Sequence, residues 1–216
     1  EAGRHGDCVV ASIFVNRLQF EPGGDFDRYP RTLERDCEQL AAAGCHVVFA
    51  PDERELYPEP QEILLSPPKA AEQLCGEHRP GHFQGVVTVV AKLFNAVAPH
   101  TAVFGRKDYQ QLHVVRALVR QLNYPIRIVG VETVREPDGL AMSSRNGYLS
   151  AAERGEAVRL VRNLRRIKAE VEGGSRDFAA LCDAAAQDLA AAGWRVDYVA
   201  LRNQSGLAPP APGDRD

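Results

Sequence analysis

The sequence predicts an α/β protein, with a parallel sheet and helical crossovers followed by a smaller, helix-rich second domain. Three observations carry this reading. Residues 8–15, Cys8-Val-Val-Ala-Ser-Ile-Phe-Val15, form a continuous apolar run rich in β-branched side chains, the pattern of a strand covered on both faces. Strand-like and helix-like patterns then alternate as far as Val131. Beyond Val134 that rhythm gives way to two successive helices, which places a domain boundary at 133–134.

The elements follow in order. Residues 32–43 place Leu33, Cys37 and Leu40 on one helical face, and Gly44 supplies a C-cap. His46 to Ala50 is a short strand stopped by Pro51. Residues 51–80 contain Pro51, Pro58, Pro60, Pro67, Pro68 and Pro80 with little periodicity, so they read as loop with one short helix or edge strand. Phe83, Val86, Val87, Val90, Phe94 and Val97 recur at helical spacing, and their β-branched content does not outweigh it. Thr101 to Gly105 is a strand, and Asp108 with Gln111 resembles a capping box ahead of a helix over 109–122. Ile126 to Val131 is the next strand. In the second domain Ser150-x-x-Glu153 caps one long helix ended by Gly173-Gly174. A second helix runs from Asp177 to Ala192, and Trp194 to Leu201 reads as a strand.

Composition narrows the function classes. The 216 residues hold 26 Lys and Arg against 29 Asp and Glu, a formal net charge of −3. A general nucleic-acid surface needs excess positive charge and is disfavoured. No apolar run approaches the ~18 residues that span a membrane. The five cysteines, Cys8, Cys37, Cys45, Cys75 and Cys182, have no C-x-x-C spacing, which fits reduced thiols in a cytoplasmic protein. His78 and His82 lie four apart, but Pro80 and Gly81 deny them a shared helical face, and no metal site is expected. The dinucleotide fingerprint, the P-loop and the nucleophile elbow are all missing.

Several segments carry chemistry. Phe104-Gly-Arg-Lys-Asp-Tyr-Gln-Gln111 joins the carboxyl end of a strand to the start of a helix, where open α/β sheets bind ligands. Free N–H groups favour an anion there, Gly105 allows close backbone approach, and Lys107 adds positive charge. The competing reading is an ordinary turn with a solvated lysine. Met142-Ser-Ser-Arg-Asn-Gly147 collects two hydroxyls, a guanidinium and an amide, a set able to grip a polyphosphate. Read alone it is equally a polar surface loop. Asn16 and Gln19 follow the first strand, where neutral amides can orient a polar substrate or simply make a turn.

Together these residues resemble the pantoate–β-alanine ligase (pantothenate synthetase) family. The resemblance rests on Ser12-Ile-Phe-Val-Asn-Arg-Leu-Gln-Phe20, Tyr29-Pro-Arg-Thr32, Arg79-Pro-Gly-His-Phe-Gln-Gly-Val86, Phe104-Gly-Arg-Lys-Asp-Tyr-Gln-Gln111 and Asp138-Gly-Leu-Ala-Met-Ser-Ser-Arg-Asn-Gly-Tyr-Leu149, in the family's order across residues 8–203. It implies a Rossmann-like parallel sheet of the nucleotidylyltransferase type and a smaller C-terminal α+β domain. Residues 1–133 would bind nucleotide and pantoate, and residues 134–216 would close over the ATP site. It implies a carbon–nitrogen ligase that forms pantoyl adenylate from ATP and pantoate with Mg²⁺, then pantothenate with β-alanine. Gly105, Arg106, Lys107, Asp108, Val134, Met142, Ser143, Ser144 and Arg145 would line the ATP site, with Lys107, Ser144 and Arg145 catalytic. Asn16, Gln19, His82 and Gln111 would bind the substrate. A cytoplasmic homodimer is the implied assembly, with no nucleic-acid or membrane partner.

The sequence departs from the family's pattern in places. Arg17 stands where the family has Pro, and Arg106 where it often has Glu or Gln. No P-T-M-G-x-L-H-x-G-H segment precedes Cys8, and no segment ending near L-I-D-N follows Asn203. The expectation is therefore a sequence incomplete at both ends, with these 216 residues a poor catalyst by themselves. The alternative is a non-catalytic homologue or fragment that only binds ligand or a partner subunit.

Overall fold

The computed structural model describes residues 1–211 and 214. The chain divides into two compact units, Glu1–Thr133 and Val134–Asp216. In the first unit, β1 (Val10–Ser12) pairs in parallel with β2 (Val47–Phe49), Val10 opposite Val47. The crossover between them carries α1 (Leu33–Ala42), ended by Gly44 at φ +79°. Two short helices, α2 (Glu53–Leu56) and α3 (Cys75–His78), punctuate the proline-rich stretch. Then come α4 (His82–Val97), β3 (Thr101–Gly105), α5 (Tyr109–Gln121) and β4 (Arg127–Val131). β3 and β4 are parallel in a second sheet, Thr101 opposite Arg127.

The core of this unit is the contact between α4 and α5. Phe83, Val86, Val87, Val90 and Phe94 of α4 pack with Val114, Val115 and Leu118 of α5 and with Ile126. Phe94 also meets Phe104 of β3 and Tyr124 edge-on, at 6.4 and 5.8 Å between ring centroids. Burying side chains of this size contributes about 1.5–3 kcal/mol each, so the two helices fix where the strand ends lie.

The second unit begins with a short hairpin closed by the Arg135–Ala141 bridge. It continues with α6 (Ala151–Glu156), α7 (Val158–Glu172) and α8 (Phe178–Ala191). Ser150 and Glu153 form the expected reciprocal capping box.

Four local expectations are corrected. The first strand covers only three of residues 8–15, and no residue of β1 or β2 is fully buried, because the ladder has just two short strands and ends at Phe49, before Pro51. Asp108 does not cap α5: a 3-10 turn, Arg106–Asp108, runs directly into the helix and turns the carboxylate to Lys107 instead. The long helix of the second unit is broken at Ala157, just after Gly155 weakens its helical preference. Trp194 to Leu201 is not a strand, having no ladder partner among the described residues.

Candidate active site

Beyond β1 the chain gives one last ladder bond, from Ile13 N–H to the Phe49 carbonyl at 2.9 Å, and then reaches Asn16. Asn16 is 2% exposed. Its Nδ2 donates to the Gly85 carbonyl at 3.1 Å and to Gln19 Oε1 at 3.2 Å, while Oδ1 accepts from the Tyr57 hydroxyl at 2.8 Å. The 3-10 turn Arg17–Gln19 therefore lies directly on α4. Gly85 makes that approach possible, since a Cβ there would sit 2.4 Å from the Leu18 carbonyl oxygen.

The Gln19 carbonyl in turn gathers two side chains from the start of α4. His82 Nδ1–H donates to it at 2.9 Å and Arg79 Nη2 at 3.3 Å. Arg79 Nη1 lies 3.5 Å from His82 Nε2, which accepts, and Arg79 Nε lies 3.8 Å from Glu21. Burial holds the His82 pKa below the ordinary imidazole value. The bond to Gln19 opposes this, Arg79 reinforces it, and Asp108 and Glu21 oppose it more weakly. At neutral pH His82 is thus an uncharged ring beside a guanidinium.

At the carboxyl end of β3 the chemistry is different. Gly105, Arg106, Lys107 and Asp108 are all exposed. Arg106 pairs with Glu132, just past β4, and Lys107 Nζ lies 3.4 Å from Asp108 Oδ1. The space around the Gly105 Cα is open. The two glutamines that follow differ sharply. Gln110 is buried, with Nε2 donating to the Ala70 and Gln73 carbonyls and Oε1 accepting from Cys75 N–H. Gln111 is half-buried and its side chain has no partner among the described residues. One residue of this pair is structural and its neighbour is available to a ligand.

The remaining candidates lie in the second unit. Val134 and Met142 are exposed, and Met142 N–H donates to the Val134 carbonyl at 2.9 Å. Between them, Gly139 (φ +98°) turns the hairpin, and Asp138 accepts from Leu140 N–H at 3.1 Å and from Arg154 at 2.7 Å. The turn favours glycine, because L side chains rarely adopt this positive φ. Ser143 Oγ accepts from Arg145 N–H at 3.2 Å and starts the 3-10 turn Ser144–Tyr148, which leaves Ser144 and Arg145 at the surface.

Tyr57, Gly85 and Gln110 complete this arrangement without having been singled out from the sequence. Only Gly85 carried a signal, as a glycine inside a largely apolar helical pattern. Arg17, the departure noted above, lies over the Phe26 ring at 3.8 Å and bonds Glu53 at 2.9 Å. No group of three His, Cys, Asp or Glu among the described residues could hold a metal ion, and no described helix is long and apolar enough to cross a membrane.

Comparison with known proteins finds similar chains along almost the whole sequence. The family model described as Pantoate-beta-alanine ligase matches residues 1–215. The pantothenate synthetase of Thiobacillus denitrificans is 64% identical over 95% of this chain and 73% of its own length. That of Nitrosospira multiformis is 59% identical over 99% of this chain and 76% of its own. The crystal structure of pantothenate synthetase from Thermus thermophilus superposes with a TM-score of 0.92 at 47% identity, covering 97% of this chain and 76% of that one. The Francisella tularensis pantoate-beta-alanine ligase, complexed with beta-gamma ATP and beta-alanine, gives 0.77 at 31% identity over 94% and 74%.

Proposed function

The chain belongs to the pantoate–β-alanine ligase family, and from that premise we propose how its residues divide the work of joining pantoate to β-alanine. ATP is a substrate, as the nucleotide complex of the Francisella relative supports. A pantoate carboxylate oxygen attacks the α-phosphorus of ATP and the bond to the β-phosphate oxygen breaks, giving pantoyl adenylate and pyrophosphate. The β-alanine amine then attacks the acyl carbon, loses a proton and expels AMP.

The observation that carries the assignment is the Gln19–Arg79–His82 cluster at the end of β1. It is a neutral, hydrogen-bonded frame beside one guanidinium, suited to a small hydroxy acid. Gln19, His82 and the unpartnered Gln111 take pantoate, and Asn16 holds Gln19 in place. Gly105, Arg106, Lys107 and Asp108 serve ATP, as do Val134, Met142, Ser143, Ser144 and Arg145. Attack on a phosphate anion needs charge neutralisation more than a strong base, and Lys107, Ser144 and Arg145 are the residue types that supply it. Mg²⁺ takes oxygen ligands and is held mainly by substrate phosphates with one or two carboxylates, a part that the exposed Asp108 fits. When bound it neutralises phosphate charge.

We assign the enzyme to the cytoplasm as a homodimer, the former supported by five cysteines that are all free. Light scattering measures the assembly. The test of the reaction is exchange of labelled pyrophosphate into ATP. Pantoate alone supports exchange, and β-alanine then yields pantothenate and AMP. Exchange that requires β-alanine, or proceeds without pantoate, overturns the proposed order.

A further inference from the structure

We propose that Tyr57 is a positioning residue for pantoate. By anchoring Asn16, which the Gly85 carbonyl orients, it holds the Gln19 amide with its hydrogens toward the ligand. The proposal rests on the reading above that Gln19 holds pantoate.

The Gly85 carbonyl can only accept a hydrogen bond. Asn16 must therefore turn Nδ2 towards it, at 3.1 Å. That leaves Asn16 Oδ1 for Tyr57, whose hydroxyl donates at 2.8 Å. The second Asn16 amide hydrogen points to Gln19, and only Oε1 of Gln19 can accept it, at 3.2 Å. A flipped Gln19 would set two amide donors against each other. One obligate acceptor thus fixes three side chains in turn.

The relay is shielded and its donor is permanent. Asn16 is almost wholly buried, so water does not replace a lost partner. Tyr57 is braced by the Phe14 ring at 5.9 Å and by Lys92, whose Nζ lies 4.7 Å from its ring centroid. Burial first, then the charge of Glu53, pushes the Tyr57 phenol up to about 12, so it remains a donor across the neutral range.

The consequence is substrate discrimination. With Oε1 turned to Asn16, Gln19 presents its two N–H donors to the ligand. A hydroxyl or carboxylate oxygen satisfies them. An ammonium group, such as that of β-alanine, would meet donors with donors. Both substrates carry a carboxylate, so the amide orientation at Gln19 separates a hydroxy acid from an amino acid.

Titration calorimetry with pantoate alone tests this on the wild type, Tyr57→Phe, Gln19→Ala and the double variant. Tyr57→Phe weakens pantoate about threefold to tenfold and Gln19→Ala about tenfold. The double variant binds no more weakly than Gln19→Ala, because Tyr57 acts only through Gln19. ATP affinity stays within about twofold throughout, as expected for groups that share no partner with it. In ¹H–¹⁵N spectra the Gln19 side-chain pair, identified by its loss in Gln19→Ala, shifts in Tyr57→Phe before any ligand is added. Additive losses in the double variant, or a Tyr57→Phe protein that binds pantoate as the wild type does, overturn the relay and leave Gln19's role standing. Unchanged pantoate affinity in Gln19→Ala overturns both.

Discussion

The carboxyl ends of β1 and β3 belong to the same unit and are built on opposite principles. At β1, Asn16, Gln19 and His82 are buried or half-buried, and each donates or accepts inside the protein at 2.9–3.2 Å. At β3, Arg106, Lys107 and Asp108 are exposed and pair with nearby charges. Ion pairs of this kind, screened by water, add little to stability. The contrast matches two kinds of ligand. A small hydroxy acid offers few contacts and needs its partners preset, because each misdirected hydrogen bond is a large part of its affinity. A triphosphate brings several charges and can draw mobile cations to itself.

If that contrast holds, damage at the β3 end appears in rate and damage at the β1 end appears in structure. The largest expected effect is Lys107→Ala, which in the complete protein slows pantoyl adenylate formation about 10²–10³-fold. Rapid-quench measurement of the adenylate reads this, while the melting temperature stays that of the wild type. A normal adenylation rate would remove Lys107 from the transition state.

Next is Gly85→Ala. Its Cβ would lie 2.4 Å from the Leu18 carbonyl oxygen and 2.6 Å from Gln19 N. Backbone cannot swing aside as a side-chain tip can, so the turn must leave α4, at a cost of about 2–3 kcal/mol. Denaturant unfolding should show that loss, together with weaker pantoate binding. A variant as stable as the wild type would mean that the β1 end is not rigid.

The smallest effect concerns pH. His82 titrates near 6.5 in an unfolded chain, and its folded value lies below that. Well above pH 6.5 both states are neutral and His82 adds no slope. As pH falls through about 6.5 the unfolded state takes up the proton first, so stability declines until the folded value is passed. His113 is shifted in the same direction, by burial and then by Arg120 and Arg116. The informative quantity is therefore the difference between wild type and His82→Gln in melting temperature from about pH 8 to about pH 5, a range that brackets the imidazole titration. The variant should lose less as the pH falls; parallel curves would place His82 in contact with water.

Much of the framework is legible in the sequence because it is local. Gly44 and Gly193 end helices at positive φ, and Ser150 meets Glu153 three residues on. Local patterns mislead where a longer-range partner decides. The run 8–15 looks like a covered strand, but β2 supplies only three ladder residues. Asp108 has the spacing of a cap, yet Lys107 beside it takes the carboxylate. The site is legible as residue types and not as contacts. Gln19 and His82 are 63 residues apart and meet through a backbone carbonyl that no motif encodes. Gln110 and Gln111 are identical letters whose roles diverge because one points into the protein and its neighbour does not.

The burial of α4 has a consequence for exchange with solvent deuterium. Ten of its residues, from His82 to Phe94, are buried. Its amide hydrogens can reach water only when the surrounding unit opens, so the slowest of them report the opening free energy of the whole unit. Helix α1 has no buried residue and exposes Leu33 at 47%, so its amides exchange through local fraying long before that. Because the Gly85 carbonyl that orients Asn16 belongs to α4, the substrate-facing amides are anchored to the segment of the unit that opens last.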